Sequence, residues 1–96
     1  MKLEVITPEK KMFEGNVEAV QFPGVDGSFQ VLDNHAPIIS VLSSGKVKID
    51  LKEKDQGIND YENDIEVDGT NENIIRLSIK GGVMELRNNH IIVLAD

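Results

Sequence analysis

The chain has no cysteine, which removes disulfide frameworks, thiolate zinc sites, iron–sulfur clusters and cysteine nucleophiles together. That absence also suits a reducing compartment. No stretch approaches the roughly 20 consecutive apolar residues that a membrane-spanning helix needs. The opening "MKLEVITPEKK" has no sustained apolar core, so no secretory leader is expected. Helical periodicity, internal repeats and low-complexity linkers are missing as well. Positive charge is scarce: 10 lysines and arginines stand against 17 carboxylates, for a formal charge of −7. Cations must displace phosphate counterions for a protein to bind a polyanion, so nucleic acid is excluded as a partner, and anionic lipid is disfavoured for the same reason. The expectation is a soluble protein with no direct membrane insertion, still able to dock on something embedded in a membrane.

What is present is a period of two. In "KVKIDLK", Val47, Ile49 and Leu51 alternate with Lys46, Lys48, Asp50 and Lys52, and "IIRLSIK" sets Ile75, Leu77 and Ile79 against Arg76, Ser78 and Lys80. "LEVIT" and "NVEAVQF" alternate with less contrast, and the closing "IIVLAD" is a continuous apolar run that suits a central strand. Turn residues separate these runs: "PGVDG" (Pro23 to Gly27), "SSG" (Ser43 to Gly45), Gly81–Gly82, and Asn88–Asn89 as a two-residue hairpin loop. Short strands with turns between them predict an all-β protein, an antiparallel β-sandwich. At 96 residues it is one domain, 1–96, of a size that buries roughly two-thirds of its unfolded surface. Asp50 to Glu72 holds nine carboxylates and two lysines, which predicts a charged, solvated and mobile hairpin around 52–72, with a loop flanking one short strand at Ile65–Val67 as the alternative.

Three patterns invite a chemical interpretation. "DIEVDG" sets Asp64, Glu66, Asp68 and Gly69 at the first, third, fifth and sixth positions of a calcium loop, but the closing bidentate glutamate falls on Ile75. No metal site is expected. The glycines never form a strand–glycine-loop–helix unit, and "SGKVK" lacks the hydroxyl that follows a P-loop lysine. Asp33, His35 and Ser40 have the residue types of a nucleophilic triad, but they are strung along one extended segment with no oxyanion donor nearby. His90, at a hairpin exit, reads as a surface residue. No catalytic residue and no cofactor follow. "DNHAPIIS" (Asp33 to Ser40) reads instead as a rigid contact loop. Pro37 biases Ala36 toward extended backbone, and Asp33 and Asn34 favour a turn. Ile38, Ile39, Val41 and Leu42 are expected to anchor that loop in the core.

"VEAVQFPGVDGSFQVLDNHAPIISVL", "KGGVMEL" and the terminal "VLAD" together resemble the N-terminal sandwich domain of the epsilon-subunit family of bacterial F-type ATP synthases, over almost the whole chain. The resemblance implies a non-catalytic rotor subunit on the central stalk. One side would pack on the gamma subunit and one end would rest on the membrane c-ring, at the cytoplasmic side of a bacterial inner membrane. Ion flow would thereby stay coupled to ATP synthesis. Carried over by position, the ring-facing edge is Ser28, Phe29, Gln30, Asp33, Asn34 and His35, a polar rim suited to short polar ring loops. Gln30 stands where family members often have glycine, and the 50–72 segment is longer than the usual hairpin. Many relatives continue beyond the position of Asp96 into a two-helix domain that inhibits hydrolysis or binds ATP, so neither activity is expected of these residues. The rival readings are a free-standing β-sandwich interaction module with another partner, and a small hydrolase using His35.

Overall fold

The computed structural model describes residues 1–53 and 65–96. Among these residues nine strands run in order: β1 (Lys2–Ile6), β2 (Lys11–Gly24), β3 (Gly27–Leu32), β4 (Ile38–Leu42), β5 (Gly45–Leu51), β6 (Ile65–Val67), β7 (Ile74–Ile79), β8 (Gly82–Arg87) and β9 (His90–Ala95). There is no helix among the described residues. Most of the acidic hairpin expected around 52–72 lies outside them. The described part is β6, antiparallel to β7, and the turn that follows it.

The alternating segments fold as their pattern dictates. Val47 and Ile49 on β5 and Ile75 and Leu77 on β7 are fully buried, and the two strands pair antiparallel with Val47 opposite Leu77. The 14-residue β2 belongs to both layers of the sandwich. Its first part pairs with β1 and its middle pairs with β5, and a bulge between Val17 and Ala19 marks the change. Such an extra residue bends a strand and raises its twist. The layers are therefore β3–β2–β5–β7–β6 and β2–β1–β9–β8–β4. Between them Phe13, Phe22, Leu3, Ile49, Met84, Leu86 and Ile91 are completely buried, with no polar residue buried among the described residues.

Three features depart from the sequence expectation. First, the sandwich is mixed: β1 pairs parallel to β9. A parallel pair needs a long crossover, and here the intervening strands supply it. Second, Pro23 and Gly24 remain in β2, and the reversal is made by Val25 and Asp26 alone. Third, β4 does not bury its whole apolar run. Leu42 is buried and Ile38 packs against the core, while Ile39 is 71% exposed and Val41 54% exposed. A strand turns alternate side chains to opposite faces, so a run of apolar residues cannot all point inward. The Asn88–Asn89 loop forms as expected, with φ of 53° and 59°, the left-handed pair that a two-residue hairpin turn of this type requires.

Candidate protein-interaction site

The outward side chains of β4, β8, β9 and β1 fall into rows fixed by register. Val41 faces Val83, Val83 faces Leu94, and Leu94 faces Ile6. The next row runs Ile39, Glu85, Ile92, Glu4. Val83 and Leu94 are 42% and 59% exposed. Strands lie about 4.8 Å apart, so the first row makes an apolar band roughly 14 Å across one outer face. A contiguous apolar patch rimmed by charge marks a protein contact more often than chance exposure does.

The charged rim is built on β1, β2 and β9. Lys11 Nζ lies 2.7 Å from Glu14 Oε1 and 3.4 Å from Glu4 Oε1, and Lys2 Nζ lies 3.1 Å from Glu14 Oε2. His90 Nε2 donates to Glu4 Oε2 at 2.7 Å. That bond is the main cause holding the Glu4 carboxyl below its ordinary range, with Lys11 adding to it. His90 is thus half-buried and paired across the β1–β9 ladder. The rim satisfies its own charges, which leaves the apolar band as the part with unmet demand.

The β3–β4 turn sits at one end of the sandwich, beside the β8–β9 turn. Asn34 takes the left-handed conformation (φ 64°), which a short polar side chain tolerates. Its backbone N–H donates to Asn89 Oδ1 at 2.8 Å, and Asn89 Nδ2 donates to Asp33 Oδ1 at 2.9 Å. The Met1 amino group lies 3.1 Å from the same Asp33 oxygen. Asn89 first, and the amino group second, hold the Asp33 carboxyl below its usual range. His35 donates from Nδ1 to the Ala36 carbonyl at 2.7 Å, so the neutral ring keeps Nε2 as an acceptor. Asp33, Asn34 and His35 are all exposed.

Ser28 and Gln30 are exposed on β3, which among the described residues is an edge strand paired with β2 only. Phe29 points the other way. Its ring stacks obliquely on Phe22, centroids 5.5 Å apart, and packs against the core. The edge and the turn are contiguous along the chain but not clustered, since Ser28 and Asp33 are separated by roughly 17 Å of extended strand. Asp33, His35 and Ser40 share no hydrogen bond. Asp33 faces Asn89 and the amino group, His35 bonds its neighbour's carbonyl, and Ser40 Oγ donates to Val41 O at 3.4 Å. In the calcium-like segment, Glu66 pairs with Lys46 at 2.8 Å and Asp68 with Arg76 at 2.8 Å, while Asp64 lies outside the described residues. The apolar band has no counterpart in the sequence expectation. The only hint was that β4 and β9 carry more apolar residues than one inward face can use.

A family model described as the beta-sandwich domain of the ATP synthase delta/epsilon chain matches residues 1–61. The ATP synthase epsilon chain of Chlorobium limicola is 34% identical over 95 residues, covering 99% of this chain and 88% of that one. The epsilon chain of Leptospira interrogans is 33% identical over 96 residues, and the match spans 61% of its length. Among solved structures, a chain from the central stalk and c-ring of the Tetrahymena thermophila mitochondrial ATP synthase is similar with a TM-score of 0.67. That likeness covers 99% of this chain and 62% of that chain. At 17% identity, it is one of fold.

Proposed function

Because this chain belongs to the β-sandwich family of ATP synthase delta/epsilon chains, we propose that it is a non-catalytic subunit of the rotor's central stalk. It links the gamma subunit to the membrane c-ring and so couples ion translocation to ATP synthesis, on the cytoplasmic side of a bacterial inner membrane. The observation that carries this is the pairing of two unlike surfaces on one packed body. The apolar band Val41–Val83–Leu94–Ile6 suits a large, permanent protein interface, and gamma is the partner assigned to it. The polar edge of Ser28 and Gln30 with the turn Asp33–His35 suits the short polar loops of the ring. No helix among the described residues is long and apolar enough to cross a membrane, and in this proposal the ring is the membrane-embedded partner.

The mechanical role follows from packing. A coupling element must pass torque without yielding, and a close-packed interior has few voids into which it can deform. No bond is made or broken by this chain. Its contribution is to hold two partners in fixed relation.

The test is reconstitution. The chain is expected to be retained by immobilised gamma and, with gamma, to capture purified c-ring. Retention by neither partner, or stable isolation with an unrelated protein, would replace this proposal with the free-standing interaction module. His35→Ala should change no turnover.

A further inference from the structure

We infer that Asn89, on the β8–β9 turn, is a positioning residue that holds the β3–β4 turn in shape to meet its partner. The inference rests on the ring contact proposed above. Asn89 lies 55 and 56 residues from the groups it bonds, so it is a cross-brace between two layers and not a local turn former. Its carboxamide meets both needs of the turn at once. The oxygen accepts from the Asn34 N–H, one residue past the last bond to β2, which the Asp33 N–H makes to the Glu18 carbonyl at 3.2 Å. The nitrogen donates to Asp33 Oδ1 and so offsets the carboxylate beside it. Asn34 and Asn89 both hold left-handed backbone, at 64° and 59°. Each therefore sits in a sparsely populated well that its surroundings must over-determine.

The consequence is directional. His35 follows Asn34 immediately, and its own N–H reaches back to the Leu32 carbonyl at 3.2 Å. If the brace is released, the bend keeps that bond, the Asp33 N–H bond to the Glu18 carbonyl at 3.2 Å and the Met1 amino contact with Asp33, and loses the two bonds that tie Asp33 and Asn34 to the β8–β9 turn. Asn89 need not touch the partner to matter, because it sets where His35 and Asn34 stand.

The discriminating variant is Asn89→Gly. It preserves the left-handed backbone of the hairpin, which glycine adopts freely, and deletes only the brace. Expected are faster amide exchange at Asn34 and His35 and an affinity for detergent-purified c-ring, measured on the chain bound to gamma, lower by about fivefold to tenfold. Affinity for gamma itself should not change. Unchanged amide exchange in Asn89→Gly would overturn the brace. So would faster exchange with full ring affinity, since the turn would then be braced for no contact. A wild-type chain on gamma that fails to hold the ring is a different result. It overturns the function proposed above, and the purpose assigned here with it.

Discussion

Asp68 shows how much one half-buried carboxylate can organise. Its Oδ2 accepts from the Thr70 hydroxyl at 2.6 Å and from the Thr70 and Asn71 backbone N–H groups at 2.9 and 3.0 Å, and its Oδ1 accepts from Arg76 at 2.8 Å. The Thr70 hydroxyl first, and then Arg76, hold the carboxyl well below the usual carboxylate range. Glu4, Glu14, Asp33 and Glu66 are lowered in the same sense by His90, Lys11, Asn89 and Lys46 respectively. A carboxyl whose folded pKa is depressed stabilises the fold fully above its unfolded pKa, near 4, and loses that contribution as pH falls toward the folded value. The urea midpoint should therefore hold steady near neutrality and drop below about pH 4. Asp68→Asn should lower the neutral midpoint and flatten the acid drop. A variant with the wild-type slope would show that the turn does not depend on this charge. Leu77, fully buried between the layers, belongs to a different class. Leu77→Ala should cost about 2–5 kcal/mol by leaving a cavity, a large share of a typical 5–15 kcal/mol total, read from the same denaturation curves.

Among the elements, the β7–β8 link is the most constrained. Gly81 and Gly82 carry φ of 140° and 147°, and a Cβ on Gly82 would stand 2.3 Å from the Leu94 carbonyl oxygen and 2.8 Å from Ala95 Cα. Both obstacles are backbone of β9, which cannot swing aside as a side chain tip can. Gly82→Ala should destabilise by about 1–3 kcal/mol or more. Gly69→Ala, where a Cβ would meet nothing within 4 Å, should be nearly neutral. Equal melting temperatures for the two variants would refute this account of the link. What could be read from the sequence divides along the same line between local and distant causes. Strands β5 and β7 were legible because alternating polar residues fix which face is buried, and Val47, Ile49, Ile75 and Leu77 lie where that phase puts them. Strand β9 was read as a central strand and lies between β1 and β8, but which of its side chains face outward, as for β4, was not legible. A continuous apolar run has no phase, so the exposure of Ile39 and Leu94 is decided by their neighbours in the sheet. The turn chemistry of Asp33 and Asn34 was likewise local and visible. The partner that completes it, Asn89, comes from the opposite layer and left no mark in the local pattern.

For the whole molecule, the proposed coupling requires two surfaces that act on different partners through one stiff body. Val83 lies near one end of β8, five residues before the Asn88–Asn89 turn that abuts His35's loop, a separation of roughly 17 Å along the strand. Sites this far apart with no shared contacts change free energies additively to within about 0.5 kcal/mol. Val83→Glu places a charge in the middle of the apolar band, between Val41 and Leu94. It should weaken binding to gamma by at least about tenfold, a charge desolvated without a partner being costly, and leave direct affinity for the ring intact. A bulky or charged substitution at Gln30 or His35 should do the reverse. Both sites are on the surface, so each single change should shift stability by no more than about 0.5 kcal/mol. In the double variant the two binding losses should simply add. If Val83→Glu weakened ring binding as much as gamma binding, the band and the turn would be serving one partner. The molecule would then be an end-on adaptor and not a coupling piece between two.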